Sequence, residues 1–268
     1  SNTALGYNAL TANTTGSLNV SVGDDSLKLE TVGIGNVALG FAAMRDTGHS
    51  SIGVHSKYSI AIGYQAGLSM LGDHTDINSA TGQNILIGYQ AGYGKSGFGN
   101  RGVHNVLLGS ETGRGIAYGS YNTFLGSSAG KTNESGNYNV AIGRNSLLSI
   151  SSGSNNVTVG TNAGDNITTG SNNVIIGNDI DADSATGSYQ LHVGSSAVSW
   201  IKGDSNGHIT LPNNLTITGN STLNGSTTTI KSNAAATITH ASNGEGQDLT
   251  ISQTGEVNAS LILSSAGT

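Results

Sequence analysis

The residues with a capacity for chemistry are few. Asp179, Asp181 and Asp183 alternate along one short segment, and alternate carboxylates on an extended turn can converge on a hard cation such as calcium. No glycine stands at the sixth position of that loop and no late glutamate closes it, so a solvated acidic turn is the competing reading. His192 has no second histidine two residues away. A packed ring competes there with a metal ligand shared between chains on a symmetry axis. Tyr93, Lys95, Phe98 and Arg101, followed by Arg114, Tyr118 and Tyr121, set aromatic rings and cationic donors among glycines. That mixture suits sugar rings and makes these the candidate carbohydrate or receptor contacts; covering coil edges is the alternative role.

Other chemistries lack their residues. Glycoside cleavage needs two carboxylates flanking a sugar site, and Asp24, Asp25, Glu30, Asp73, Asp76 and Glu111 carry no motif that pairs them. There is no Walker-type loop, nucleophile elbow or His-Glu-x-x-His zinc helix. We expect no enzymatic activity and no cofactor, calcium at the aspartates excepted. A net charge of -6 with ten Lys and Arg leaves no basic stripe for nucleic acid or an anionic membrane. With no Cys, neither disulfides nor thiolate metal sites are open to it. No apolar run approaches the roughly 18 residues that a membrane span requires.

The elements that must position these residues follow from a repeat. Gly, Ser, Thr and Asn make up 134 of 268 residues, and Leu, Ile, Val and Phe only 59. Long helices and a thick core are both disfavoured by such a composition. A motif of Asn, any residue, two mostly apolar or small residues and Gly recurs through the first three quarters, as in Asn19-Val-Ser-Val-Gly23, Asn122-Thr-Phe-Leu-Gly126 and Asn156-Val-Thr-Val-Gly160. Its glycines fall 17 apart from Gly6 to Gly40 and from Gly109 to Gly194, and irregularly between. A fixed period of this length is the signature of a solenoid. The fold class expected is all-β: a parallel β-roll of about twelve coils over residues 1–198, with a closing cap near 178–198.

Within each motif, the residue before Gly and the one two earlier are read as a buried strand face. The other face consists of Ala4, Ser21, Ala38, Ala61, Leu86, Leu107, Phe124, Ala141, Thr158, Ile175 and His192. It is too apolar for solvent, so it is assigned to contacts with a neighbouring chain in an oligomer. The Gly supplies positive φ or close approach, and the Asn is expected to take left-handed geometry and to bond along the stack. The third residue after Gly is usually small, as where a second turn packs inside the coil. The stretches 67–83 and 92–104 break the beat and should loop outward. Beyond about residue 198 the beat gives way to short β-rich runs such as Asp248-Leu-Thr-Ile-Ser, expected to form an intertwined fibrous shaft over 199–268. Because Ser1 and its neighbours already belong to the repeat, the chain reads as a segment of a longer polypeptide.

The beat seen in Asn139-Val-Ala-Ile-Gly143 resembles the heads of YadA-type trimeric autotransporter adhesins. Asn2-Thr-Ala-Leu-Gly-Tyr-Asn-Ala-Leu10 with Asn13-Thr-Thr-Gly16 is similar to repeats of bacteriophage tail fibres and large bacterial surface proteins. The segment from Ile180 to Gly194 resembles the cap that closes such repeats. The run from Asn214 to Ile230 resembles a phrase of structural proteins from marine phages, cyanophages in particular. Many such fibres carry a C-terminal chaperone or receptor-tip domain; its absence here is expected to reflect cleavage, or a sequence that is only part of the chain. The resemblance implies a left-handed, homotrimeric roll in a non-enzymatic virion fibre that serves host attachment. It also implies other virion proteins, and host polysaccharide or lipopolysaccharide, as partners. A bacterial cell-surface trimeric adhesin is the alternative, and a glycan-depolymerising tailspike the second.

Overall fold

A computed structural model describes residues 1–48, 55–69, 81–95 and 100–211. They lie in one compact unit, Ser1–Leu215. Each coil begins where the chain must place an Asn in the interior. Asn139 is wholly buried. Its backbone N–H donates to Asn122 Oδ1 at 2.9 Å, and its own Nδ2 donates to Gly153 O at 2.9 Å. The same two bonds recur at Asn105, Asn122 and Asn156. Buried amides satisfied in this way fix the start of these strands. The left-handed position is the residue before the Asn, not the Asn itself: Tyr121, Tyr138 and Asn155 have φ of 60°, 57° and 59°. Reversing the chain there leaves the Asn extended, with its side chain turned inward.

Three residues of strand follow, then the motif Gly. Gly143 has φ of +132°, and a Cβ on it would lie 2.3 Å from Gly160 O of the next coil. Both reasons for glycine hold at once. The strands Thr3–Leu5, Val20–Val22, Val37–Leu39, Ile60–Ile62, Ile85–Ile87, Val106–Leu108, Thr123–Leu125, Val140–Ile142, Val157–Val159, Val174–Asn178 and Leu191–Ser195 form ten successive parallel pairs. The protein is therefore an all-β parallel solenoid of about ten turns, with no helix among the described residues. The expectation of twelve counted a copy ending at Gly53. That copy lies outside the described residues, and Val37–Leu39 pairs directly with Ile60–Ile62. Leu191–Ser195 then pairs antiparallel with Ser199–Gly203, and that strand with Ile209–Thr210. Residues 199–211 thus close the sheet, and the rest of the expected shaft lies outside the described residues.

The assignment of strand faces is inverted. Ser21, Ala38, Ala61, Leu86, Leu107, Phe124, Ala141, Thr158 and Ile175 are wholly buried within their own chain, and His192 is 9% exposed. They fill the coil interior and are not surfaces between chains; Ala4 lies in the first, open coil. The flanking residues point outward instead, with Ile62, Leu108, Ile142 and Ile176 all more than a third exposed. The physical reason is the volume available inside a 17-residue coil. The middle strand residue shares that volume with the fourth residue after Gly. Where the first is large the second is glycine: Leu86 with Gly92, Leu107 with Gly113, Phe124 with Gly130. In three coils a small first residue meets Leu or Met, Ser21 with Leu27, Ala38 with Met44 and Ala141 with Leu147, whereas Ala61 is matched by Gly67. A Cβ on Gly130 would lie 2.3 Å from Phe124. The position is left-handed, with φ of 46° at Leu27 and 50° at Met44. Strain of roughly 1–2 kcal/mol is tolerated there because the side chain fills what would otherwise be a void.

A double-mutant cycle tests this pairing by denaturation. Phe124→Ala should cost about 3–5 kcal/mol, and Gly130→Leu alone should also destabilise. The double variant should recover part of the loss; strictly additive costs would show that the two positions do not share one volume.

Candidate functional site

The fifth residue after each motif Gly stands at a turn corner, and successive corners stack. Tyr93, Arg114 and Lys131 are consecutive members of this column, following Gly88, Gly109 and Gly126. The Arg114 guanidinium lies 5.7 Å from the centre of the Tyr93 ring. Glu111, at the second position after its Gly, reaches the same corner. It accepts from Lys131 Nζ at 2.8 Å and faces Arg114 at 3.7 Å. The Lys131 hydrogen bond and charge hold the Glu111 carboxyl below the usual carboxylate range, against some desolvation. Beside this corner lies a cavity of about 370 Å³, lined by Tyr93, Gly94, Lys95, Arg114, Gly115, Lys131, Thr132 and Glu134. Lys95 Nζ donates to Glu134 Oε1 at 2.5 Å. Thr132 Oγ1 lies 2.8 Å from Leu148 O and 2.9 Å from Ile150 O, which leaves the oxygen's lone pairs able to accept.

The structure thus brings together Tyr93, Lys95 and Arg114 of the sequence candidates. It does not bring the others to the cavity. Arg101 packs over Tyr118 at 5.4 Å, and neither lines it. Tyr121 belongs to an exposed stack of His104, Tyr121 and Tyr138, with centroids 4.8 and 4.9 Å apart. Phe98 lies outside the described residues. Lys131, Thr132 and Glu134 were missed because they sit in a regular coil; aligning the fifth residue after each Gly would have placed Lys131 beside Arg114.

A second surface runs along the sheet. The outward strand residues form two apolar columns, Val37, Ile60, Ile85 and Val106 in one and Leu39, Ile62, Ile87 and Leu108 in the other. Aromatic stacks flank them, the tyrosine stack on one side and Phe41, Tyr64 and Tyr89, with centroids 5.2 and 5.5 Å apart, on the other.

The metal expectations find no ligand set. Asp179 accepts from Asn162 and Asn178, Asp183 pairs with Lys202 at 2.6 Å, and Asp181 neighbours Asp165. Among the described residues no three His, Asp or Glu side chains are grouped to hold a metal ion. His192 is occupied inside the chain, Nδ1 at 2.8 Å from Asp181 O and Nε2 at 2.6 Å from Ser199 Oγ.

Desolvation, with a hydrogen bond to Asp181 and the charges of Asp181 and Asp179, pushes the Asp165 carboxyl up to about 6. Its folded value therefore lies above the unfolded one, and folding favours its protonated form. The penalty is complete above about pH 6 and fades as pH falls toward 4. Between pH 7.5 and 5 the melting temperature should rise by about 2–4 °C, a scale set by about 1 kcal/mol in a chain of this size. Asp165→Asn should raise the value at pH 7.5 and flatten the slope; an unchanged slope in that variant would remove the assignment.

Comparison with protein-family models, curated proteins and solved structures gives no match.

Proposed function

We propose that the chain is a non-enzymatic structural segment of a phage virion fibre that works in host attachment as a homotrimer. The observation that carries this reading is the outward sheet face. Apolar columns with aromatic edges run along successive strands, whereas a solvated sheet face normally alternates with polar residues. Three copies packed through these columns would remove them from water, each fully buried Val, Ile or Leu contributing roughly 1.5–3 kcal/mol. This face replaces the middle strand residues as the trimer surface. The interior of the solenoid supports a mechanical role, because a continuous core of buried apolar side chains fills the described coils. The setting in a virion, with other virion proteins and host surface polysaccharide as partners, rests on the sequence resemblance. A cell-surface adhesin would use the same architecture.

Sedimentation equilibrium should return a trimer for the full chain. Val140→Glu with Ile142→Glu should yield monomers that retain β-sheet circular dichroism. A wild-type chain that stays monomeric and folded at every concentration would overturn the assembly. Gold-labelled antibody against residues 1–211 should decorate fibres on phage particles in a host lysate; label confined to the bacterial surface would overturn the virion assignment.

A further inference from the structure

We propose that the cavity at Tyr93, Arg114 and Lys131 is a binding site for a carboxylate-bearing sugar. The inference deepens the attachment reading and rests on it only for the source of the ligand. Its first support is where the cations are. The chain carries a net charge of -6 and ten Lys and Arg in all, yet three of them, Lys95, Arg114 and Lys131, line one cavity. Among the described residues two carboxylates, Glu134 and Glu111, face those three cations. An anion gains there from charge-assisted hydrogen bonds.

The second support is the Arg114 guanidinium. The Arg114 side chain is 42% exposed, its guanidinium lies over Tyr93, and its Nη1 faces Glu111 only at 3.7 Å, beyond hydrogen-bonding distance. A carboxylate entering the cavity offers two acceptor oxygens to Arg114 and Lys131. The remaining lining fits the rest of a sugar acid. Tyr93 presents an aromatic surface to ring C–H groups, Gly94 and Gly115 carry no side chain into the space, and Thr132 and Glu134 offer oxygens to hydroxyls. The volume of about 370 Å³ is at the small end of the roughly 300–1,000 Å³ typical of ligand sites. It suits a single sugar residue of a longer chain.

Glu111 makes the idea testable with a change of opposite sign. Its carboxylate already occupies Lys131 and part of Arg114, so it competes with the ligand for the same donors. Isothermal titration would use the full chain with two acidic probes. Trigalacturonate represents the uronic acids of capsules, and the methyl glycoside of 3-deoxy-octulosonate represents the sugar acids of lipopolysaccharide cores. Maltotriose is the neutral control. Binding of either acidic probe, with the stronger naming the source, and none of maltotriose is the expected result. Lys131→Met should weaken binding by about tenfold and Glu111→Gln should tighten it by about threefold, on the scale of one charge-assisted hydrogen bond gained or lost. Unchanged melting curves would establish that the variants fold. No binding of either acid, equal binding of maltotriose, or weaker binding by Glu111→Gln would each overturn the site. Sedimentation of the same samples separates the two readings. A monomer that binds the acid overturns the fibre assembly alone, and a trimer that binds neither overturns the site alone.

Discussion

The column of buried asparagines is the constraint on which the rest of the solenoid depends. The packed coil buries its strand-start N–H groups and turn carbonyls with the Asn column, and an unmet buried polar group costs on the order of 1–3 kcal/mol. One primary amide per coil answers both, accepting from the next Asn N–H and donating to a carbonyl 14 residues on. The exceptions show how strict the requirement is. Where the 17-residue step fails, Ser59 takes the Asn position; its N–H reaches Asn36 Oδ1 at 3.1 Å, and Ser56 supplies the carbonyl for Asn36 Nδ2 at 2.8 Å. At the last parallel strand Gln190 substitutes, its longer side chain turning back to Gly187 O at 2.9 Å.

With the backbone satisfied this way, each position of the coil forms its own column, and the columns divide the labour. One takes the buried amide, one the close-approach glycine, and two share the interior volume. Two more present apolar side chains outward, and the corner after the glycine holds ionic and aromatic groups. Lys28 and Arg45 occupy that same column and pair with Asp25 and Asp46, as Lys131 pairs with Glu111. These exposed pairs contribute little to stability individually. What distinguishes the Tyr93 corner is a cavity beside it.

Much of this was legible in the sequence, and what was not has a physical cause. The period and its glycines gave the parallel solenoid, and the small residues at Ala43, Ala66, Ala91 and Ala129 are buried as expected. Which strand face turns inward was misread because both faces are apolar, and hydrophobicity alone cannot rank Val140 and Ile142 against Ala141. Volume can. Phe124 with Gly130 and Ala141 with Leu147 make sense only if the middle residue and the fourth after the glycine occupy one space. The site was half visible: Tyr93 and Arg114 stood out as an aromatic and a cation among glycines. Their partner Lys131 lies in a regular repeat, where attention to irregular stretches does not lead. Asp165 gave no signal either, since its neighbour Asp181 is brought to it only by the stacking of turns.

The direct pairing of Val37–Leu39 with Ile60–Ile62, and of Ile60–Ile62 with Ile85–Ile87, carries a consequence for how such a chain changes over generations. The ladder keeps its register across steps longer than 17 residues, so length along the axis and the length of each turn are inherited independently. Duplicating one unit would extend reach by a single strand spacing, about 4.8 Å, without disturbing any existing corner. Lengthening a turn would alter what is displayed without altering reach. Distance from the base thus becomes a quantity adjustable in fixed increments, like links added to a chain.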